Sequence, residues 1–246
     1  MPDSTHSQAI LKGLRARWED LTSFVSEAVK EKWWDMICDK YSGRPFYNLD
    51  HLSEQMSLFD TFKDKLKDRY ALAFAIIFKH LEYDPQSSGD NDTAAKNAQL
   101  LRDFCQETTF DQENYVANLL LESGNNCTDA NLTQGEYGEE DVHFLIDFDM
   151  AWLGASELEY QKHKIAIRKE YSHLSESEYD EQRLKVLQFF LQVPNIYATR
   201  ELRDKYEKKA RENIQKEINC LLELKKTSKN TVTFKASPQT NLLHVL

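Results

Sequence analysis

Apolar residues recur along the first forty positions at three- and four-residue steps. Ile10, Leu11, Leu14, Trp18, Leu21, Val25 and Val29 carry the pattern, which predicts a helix over residues 7–40. The stretch "YSGRPFYNLDH" breaks it: Gly43 and Pro45 mark a turn, and helix resumes near Leu49. Residues 71–78, "ALAFAIIF", have no polar side chain. A helix over 69–83 that is apolar on nearly every face belongs at the centre of a fold. The polar loop "DPQSSGDND" follows, with Asp92 or Thr93 placed to cap the next helix. Helices are predicted over 93–106 and 111–122, and then "SGNNCTDANLTQGEYGEED" reads as a second loop and a flexible insertion. Helices follow over 141–153, ending at Gly154 as a terminator, and over 156–171 and 176–192, the last stopping before Pro194. A long amphipathic helix over 198–226 places Leu202, Tyr206, Ala210, Ile214 and Ile218 every fourth residue. Residues 227–246 lack helical periodicity and read as a loosely ordered tail. The chain is expected to be all-α, with one helical domain over 1–226 and the tail at 227–246.

Composition supports that reading. Only 7 Gly and 5 Pro occur in 246 residues, so turn formers are scarce, and 41% of residues are hydrophobic, enough for a substantial core. The formal charge is 31 − 41 = −10. An acidic chain repels phosphate backbones, so no nucleic-acid partner is expected. The four cysteines, Cys38, Cys105, Cys127 and Cys220, are far apart and form no metal or disulfide pattern. Sequons begin at Asn91, Asn126 and Asn131, but "MPDSTHSQAI" is not a signal peptide and no apolar run is long enough to span a bilayer. The expected location is cytoplasmic, with no membrane partner.

The candidate chemistry starts where the apolar run ends, at Phe78-Lys79-His80. An ammonium at Lys79 must find a carboxylate, reach water or lose its proton. It either snorkels from the helix end or forms a buried ion pair, with Asp147 or Asp149 as partner. His51, His80 and Asp147 each lie beside apolar sequence on a predicted helix. Two imidazoles and a carboxylate from three helices can form a facial site for iron, manganese or zinc, although a histidine beside an apolar face is more often a satisfied core residue. Asp147 and Asp149 are two residues apart in "HFLIDFDMAWLG" and point to different faces, so at most one reaches a central site. His143 shares the face of Asp147 and reads as a surface residue. Gly-rich phosphate loops, nucleophile elbows and HExxH motifs are absent. Trp33-Trp34 reads as core.

Six segments, in order, are similar to one family. They are Arg44-Pro45-Phe46-Tyr47-Asn48-Leu49-Asp50-His51, set against R-x-Y-H-N-x-x-H, and Phe78-Lys79-His80-Leu81-Glu82-Tyr83-Asp84, set against F-H-D-x-x-Y-D. Asp90-Asn91-Asp92 with Ala95 stands for D-N-E-x-x-S, and Ile146-Asp147-Phe148-Asp149-Met150-Ala151-Trp152-Leu153-Gly154 for L-D-x-D-L-x-x-L-G. Arg168-Lys169-Glu170-Tyr171 stands for R-x-E-Y, and Glu207 to Asn213 for E-x-x-A-R-x-N. Over residues 15–225 the chain resembles the small predicted metal-dependent phosphohydrolases of the HD superfamily. That resemblance implies an HD-domain-like helical bundle whose ligand positions are His51, Lys79, His80 and Asp147. The His-Asp metal pair has become Lys79-His80, a neighbouring family histidine is Tyr47, and the T-x-x-H segment is Ser123-Gly124-Asn125-Asn126.

The lost aspartate is an oxygen ligand able to bridge two ions, and Lys79 adds positive charge there, so a two-metal site is disfavoured. The first expectation is therefore a catalytically degenerate HD protein that binds or scaffolds through the old pocket and needs no cofactor. Its ligand would be small and phosphorylated or otherwise anionic, held by Arg44, Asn48, Lys79 and Asp147. The alternative is an active hydrolase or oxidase with a single divalent metal (Fe, Mn or Zn) on His51, His80 and Asp147. A third reading is an interaction protein that uses its helical surface alone.

Overall fold

A computed structural model describes residues 4–86 and 90–229. Among the described residues there are α-helices and short 3-10 turns and no strand, so the chain is all-α. The residues separate into two compact units, Met1–Asn125 with Glu140–Phe148, and Asn126–Glu139 with Asp149–Leu246.

The first unit is built around the apolar run. Its helices are α1 (Ser4–Leu21), α2 (Glu27–Tyr41), α3 (Leu49–Phe62), α4 (Arg69–Phe78), α5 (Asp90–Gln106) and α6 (Glu113–Glu122). All residues from Ala71 to Phe78 are buried, and α4 packs against α3, α5 and α6. Phe74 and Phe78 meet Phe104 of α5, which also takes Trp18 of α1 at 5.7 Å and Trp33 of α2 edge-on at 5.4 Å. Trp33 and Trp34 are both core residues, as expected.

The single helix expected over 7–40 is two helices. The Thr22 hydroxyl donates to the Trp18 carbonyl, and the Val25 N–H closes a turn on Thr22 at 2.9 Å. Trp18 Nε1 then donates to the Lys30 carbonyl at 3.0 Å, holding α2 back against α1. A three- and four-residue apolar pattern runs unbroken through such a bend, because each helix keeps the same stripe facing the core. Helix α5 begins at Asp90, so Asp92 and Thr93 lie inside its first turn and are not its caps.

The second unit contains α7 (Asp129–Leu132), α9 (Glu157–Glu170), α10 (Glu176–Gln192) and α11 (Arg200–Lys229). Helix α8 (Asp141–Met150) begins in the first unit and is followed by a 3-10 turn over Ala151–Gly154. Ser175 and Glu178 cap α10 reciprocally. Helix α11 includes residues 227–229 of the expected tail; the rest of the tail lies outside the described residues.

One expectation in this unit gains a different reason and one is corrected. The helical run ends at Gly154, as expected, but not by a left-handed turn. A Cβ there would lie 2.6 Å from Tyr206 Cβ and 2.9 Å from the Tyr206 carbonyl oxygen, so the glycine lets α11 approach. The supposed flexible insertion is tied down. Asn131 accepts from the Thr128 N–H at 2.7 Å and donates to the Ile196 carbonyl at 3.0 Å, while Asn195 donates to the Ala130 and Thr133 carbonyls, both at 2.9 Å. Asn131 is 2% exposed and its side-chain nitrogen donates to the Asn195 and Ile196 carbonyls, so the fold leaves no room for a glycan there.

The segments that resemble the late family blocks do structural work here. Glu207 accepts from the Ile196 and Tyr197 N–H groups, Arg211 donates to the Val193 and Pro194 carbonyls, and Asn213 donates to the Leu153 and Ala155 carbonyls. Arg168 donates to the Tyr171 and Leu174 carbonyls.

Candidate metal centre

Asn48 starts α3. Its side-chain oxygen accepts from the His51 N–H at 3.1 Å, and its amide nitrogen donates to the Arg44 and Pro45 carbonyls. That cap places His51 in the first turn, 4% exposed. Phe46 lies against the imidazole at 4.7 Å, and Tyr47 meets it edge-on at 5.3 Å.

His80 is placed differently. The helix expected to run to residue 83 ends at Phe78. Arg44 donates to the His80 and Leu81 carbonyls, and Asn97 donates to the Lys79 carbonyl while accepting from the Glu82 N–H at 2.8 Å. These two side chains satisfy carbonyls freed by the end of α4 and hold residues 79–82 in turns. His80 is thereby turned onto Tyr47, whose ring stacks on it at 4.0 Å. The two imidazoles are 6.0 Å apart between centroids.

The carboxylate that joins them is Asp149. It sits on the last turn of α8, a helix continuous with Glu140–Phe148. His51, His80 and Asp149 are all buried and offer ligand atoms within 4.8 Å of one another. Ligands about 2.0–2.2 Å from a common ion are at most about 4.4 Å apart, so small side-chain rotations bring these three donors onto one ion. Two neutral imidazoles and a carboxylate suit Fe(II), Mn(II) or Zn(II).

The group does not include Asp147, which two residues of helix place about 200° away. Asp147 is fully buried. Lys79 is 8% exposed and its Nζ is shut off from solvent, so it does not snorkel to the surface. Arg44 and Asn48, expected to hold a ligand, are engaged with backbone carbonyls, and Arg44 also lies over the Tyr41 ring at 5.7 Å.

His143 stands outside the group, as a residue half-buried at the start of α8. Its Nδ1 accepts from the Glu140 N–H at 3.0 Å, and burial lowers its pKa from the ordinary 6.5. The cysteines offer no thiolate near neutral pH at three of the four positions. Burial pushes Cys105 up to about 12 and also raises Cys38 and Cys127.

No family model matches the chain, and no curated protein matches it.

Proposed function

We propose that this protein binds a single divalent transition-metal ion through His51, His80 and Asp149, and acts as a mononuclear metal-dependent hydrolase or oxidase. One observation carries the reading: these three buried side chains, from α3, the turn after α4 and α8, offer ligand atoms within 4.8 Å of one another. The resemblance to HD phosphohydrolases points the same way for His51 and His80, and Asp149 takes the place first assigned to Asp147. Three protein ligands leave coordination positions for water and substrate, where a metal can lower the pKa of water or handle oxygen. One ion fits better than two, because Lys79-His80 stands in place of a His-Asp pair and a lysine cannot share a second cation. Efficient two-ion phosphoester hydrolysis is accordingly not expected.

A second reading is favoured by the burial of Lys79 beside His80. An ammonium shut off from solvent there competes with a metal cation, and the protein would then be a degenerate HD protein that binds an anionic ligand or scaffolds a partner.

Elemental analysis of protein purified without chelator separates the two. The metal reading expects about one equivalent of bound metal, lost in His51→Ala, His80→Ala and Asp149→Asn and kept in Asp147→Asn. Protein that carries no metal and takes none up on titration with Fe²⁺, Mn²⁺ or Zn²⁺ would leave the degenerate reading standing.

A further inference from the structure

A pocket of about 230 Å³ opens between α1, α3 and α4 of the first unit. Leu21, Met56, Phe59 and Ala73 form its apolar floor, and each is at most 9% exposed. Charge is confined to the rim. Arg17 of α1 pairs with Asp60 of α3, which closes one wall and neutralises both groups. The remaining rim charges are Asp20, Lys63 and Arg69, a net of +1 in a chain whose overall charge is −10. Among the described residues, neither Lys63 nor Arg69 has a carboxylate within ion-pair reach.

Arg69 is the informative one. It is the first residue of α4, where the helix dipole presents positive potential and disfavours a cation. Helix stability therefore does not account for it. Lys63 follows the end of α3, where the dipole favours a cation, so that lysine is well placed on structural grounds alone. Both cations line the pocket, whose floor is apolar, together with the exposed ring of Tyr70.

We propose that this pocket is a binding site for a small amphipathic monoanion, an acyl or aryl carboxylate. Its apolar body rests on Leu21, Met56, Phe59 and Ala73, and its carboxylate lies between Lys63 and Arg69. A monoanion matches the net rim charge, whereas a polyanion such as a nucleotide would meet Asp20. A neutral polar ligand would gain nothing from the floor.

The test uses 4-phenylbutyrate and its uncharged amide as probes on the full chain, read by methyl NMR of Met56 and Ala73 and by calorimetry. The carboxylate should bind saturably and shift both methyls, while the amide binds at least several-fold more weakly. Each exposed ion pair is worth a few-fold, so Lys63→Glu with Arg69→Glu should weaken the carboxylate by about tenfold and leave the amide unchanged. Both substituted residues are exposed, and unchanged circular dichroism would show that the variant folds. Methyls that do not move, an amide that binds as well as the acid, or a double variant with unaltered affinity would each overturn the proposal.

Discussion

At the scale of single residues, buried charges set the behaviour most open to test. Lys79 is shut off from solvent beside His80, and Asp147 is fully buried, so each charge needs compensation. The expectation of a Lys79–Asp147 pair makes Lys79→Ala destabilising by about 3–5 kcal/mol, against a few tenths for an exposed lysine. Lys79→Ala combined with Asp147→Asn should recover much of that loss, and urea denaturation of the three variants measures it. If the single variant is as stable as the parent, the pairing is wrong.

A further buried charge is Glu217. Arg183, with no exposed surface, donates to it from Nε at 3.0 Å, and the Tyr160 hydroxyl donates at 2.5 Å. Burial pushes the Glu217 carboxyl up, but the charge and hydrogen bonds of Arg183 prevail, and its pKa lies below the ordinary 4.5. A carboxylate with a lowered folded pKa contributes stability above its unfolded pKa and loses it as pH falls through the folded value. Acid unfolding should therefore steepen below about pH 4.5, and Glu217→Gln should remove part of that dependence while lowering stability at pH 7 by about 3 kcal/mol or more. Thermal melts from pH 7 to pH 3 decide it; a variant with the parent's pH profile would show that the pair contributes nothing.

At the scale of elements, closeness decides more than propensity. Helix α11 approaches the 3-10 turn so nearly that a methyl at residue 154 meets Tyr206 Cβ at 2.6 Å and its backbone at 2.9 Å. The obstruction is backbone, which cannot rotate away. Gly154→Ala should therefore destabilise by about 1–3 kcal/mol through overpacking, although alanine is the better helix former. An equally stable variant by chemical denaturation would mean that α11 shifts freely. The end of α4 follows the same rule. Nothing local stops a helix at Phe78, but Arg44 and Asn97 reach the freed carbonyls from distant segments and hold His80 in a turn. Asn97→Ala should accordingly lower metal affinity, if the ion binds, while leaving helix content unchanged by circular dichroism.

At the scale of the whole molecule, the one-domain expectation concerns cooperativity. It predicts one calorimetric transition over the helical region, with a calorimetric enthalpy matching the van't Hoff value. Two resolved transitions would instead assign separate stability to the two units.

The sequence by itself determined the all-α class and most helices, because periodic burial and scarce Gly and Pro are local signals that long amphipathic helices obey. It placed α4 at the centre of its unit, since eight successive apolar residues admit no solvent face. It singled out His51 and His80 by their place beside apolar sequence. Only the tertiary structure brings Asp149 within 4.8 Å of their ligand atoms, because residues two apart on one helix differ only in the direction they face, and packing sets that direction. The break between α1 and α2, the early end of α4 and the anchoring of Asn131 were likewise out of reach. Each depends on a hydrogen bond from a side chain to a distant carbonyl, and such a bond leaves no periodic trace along the chain.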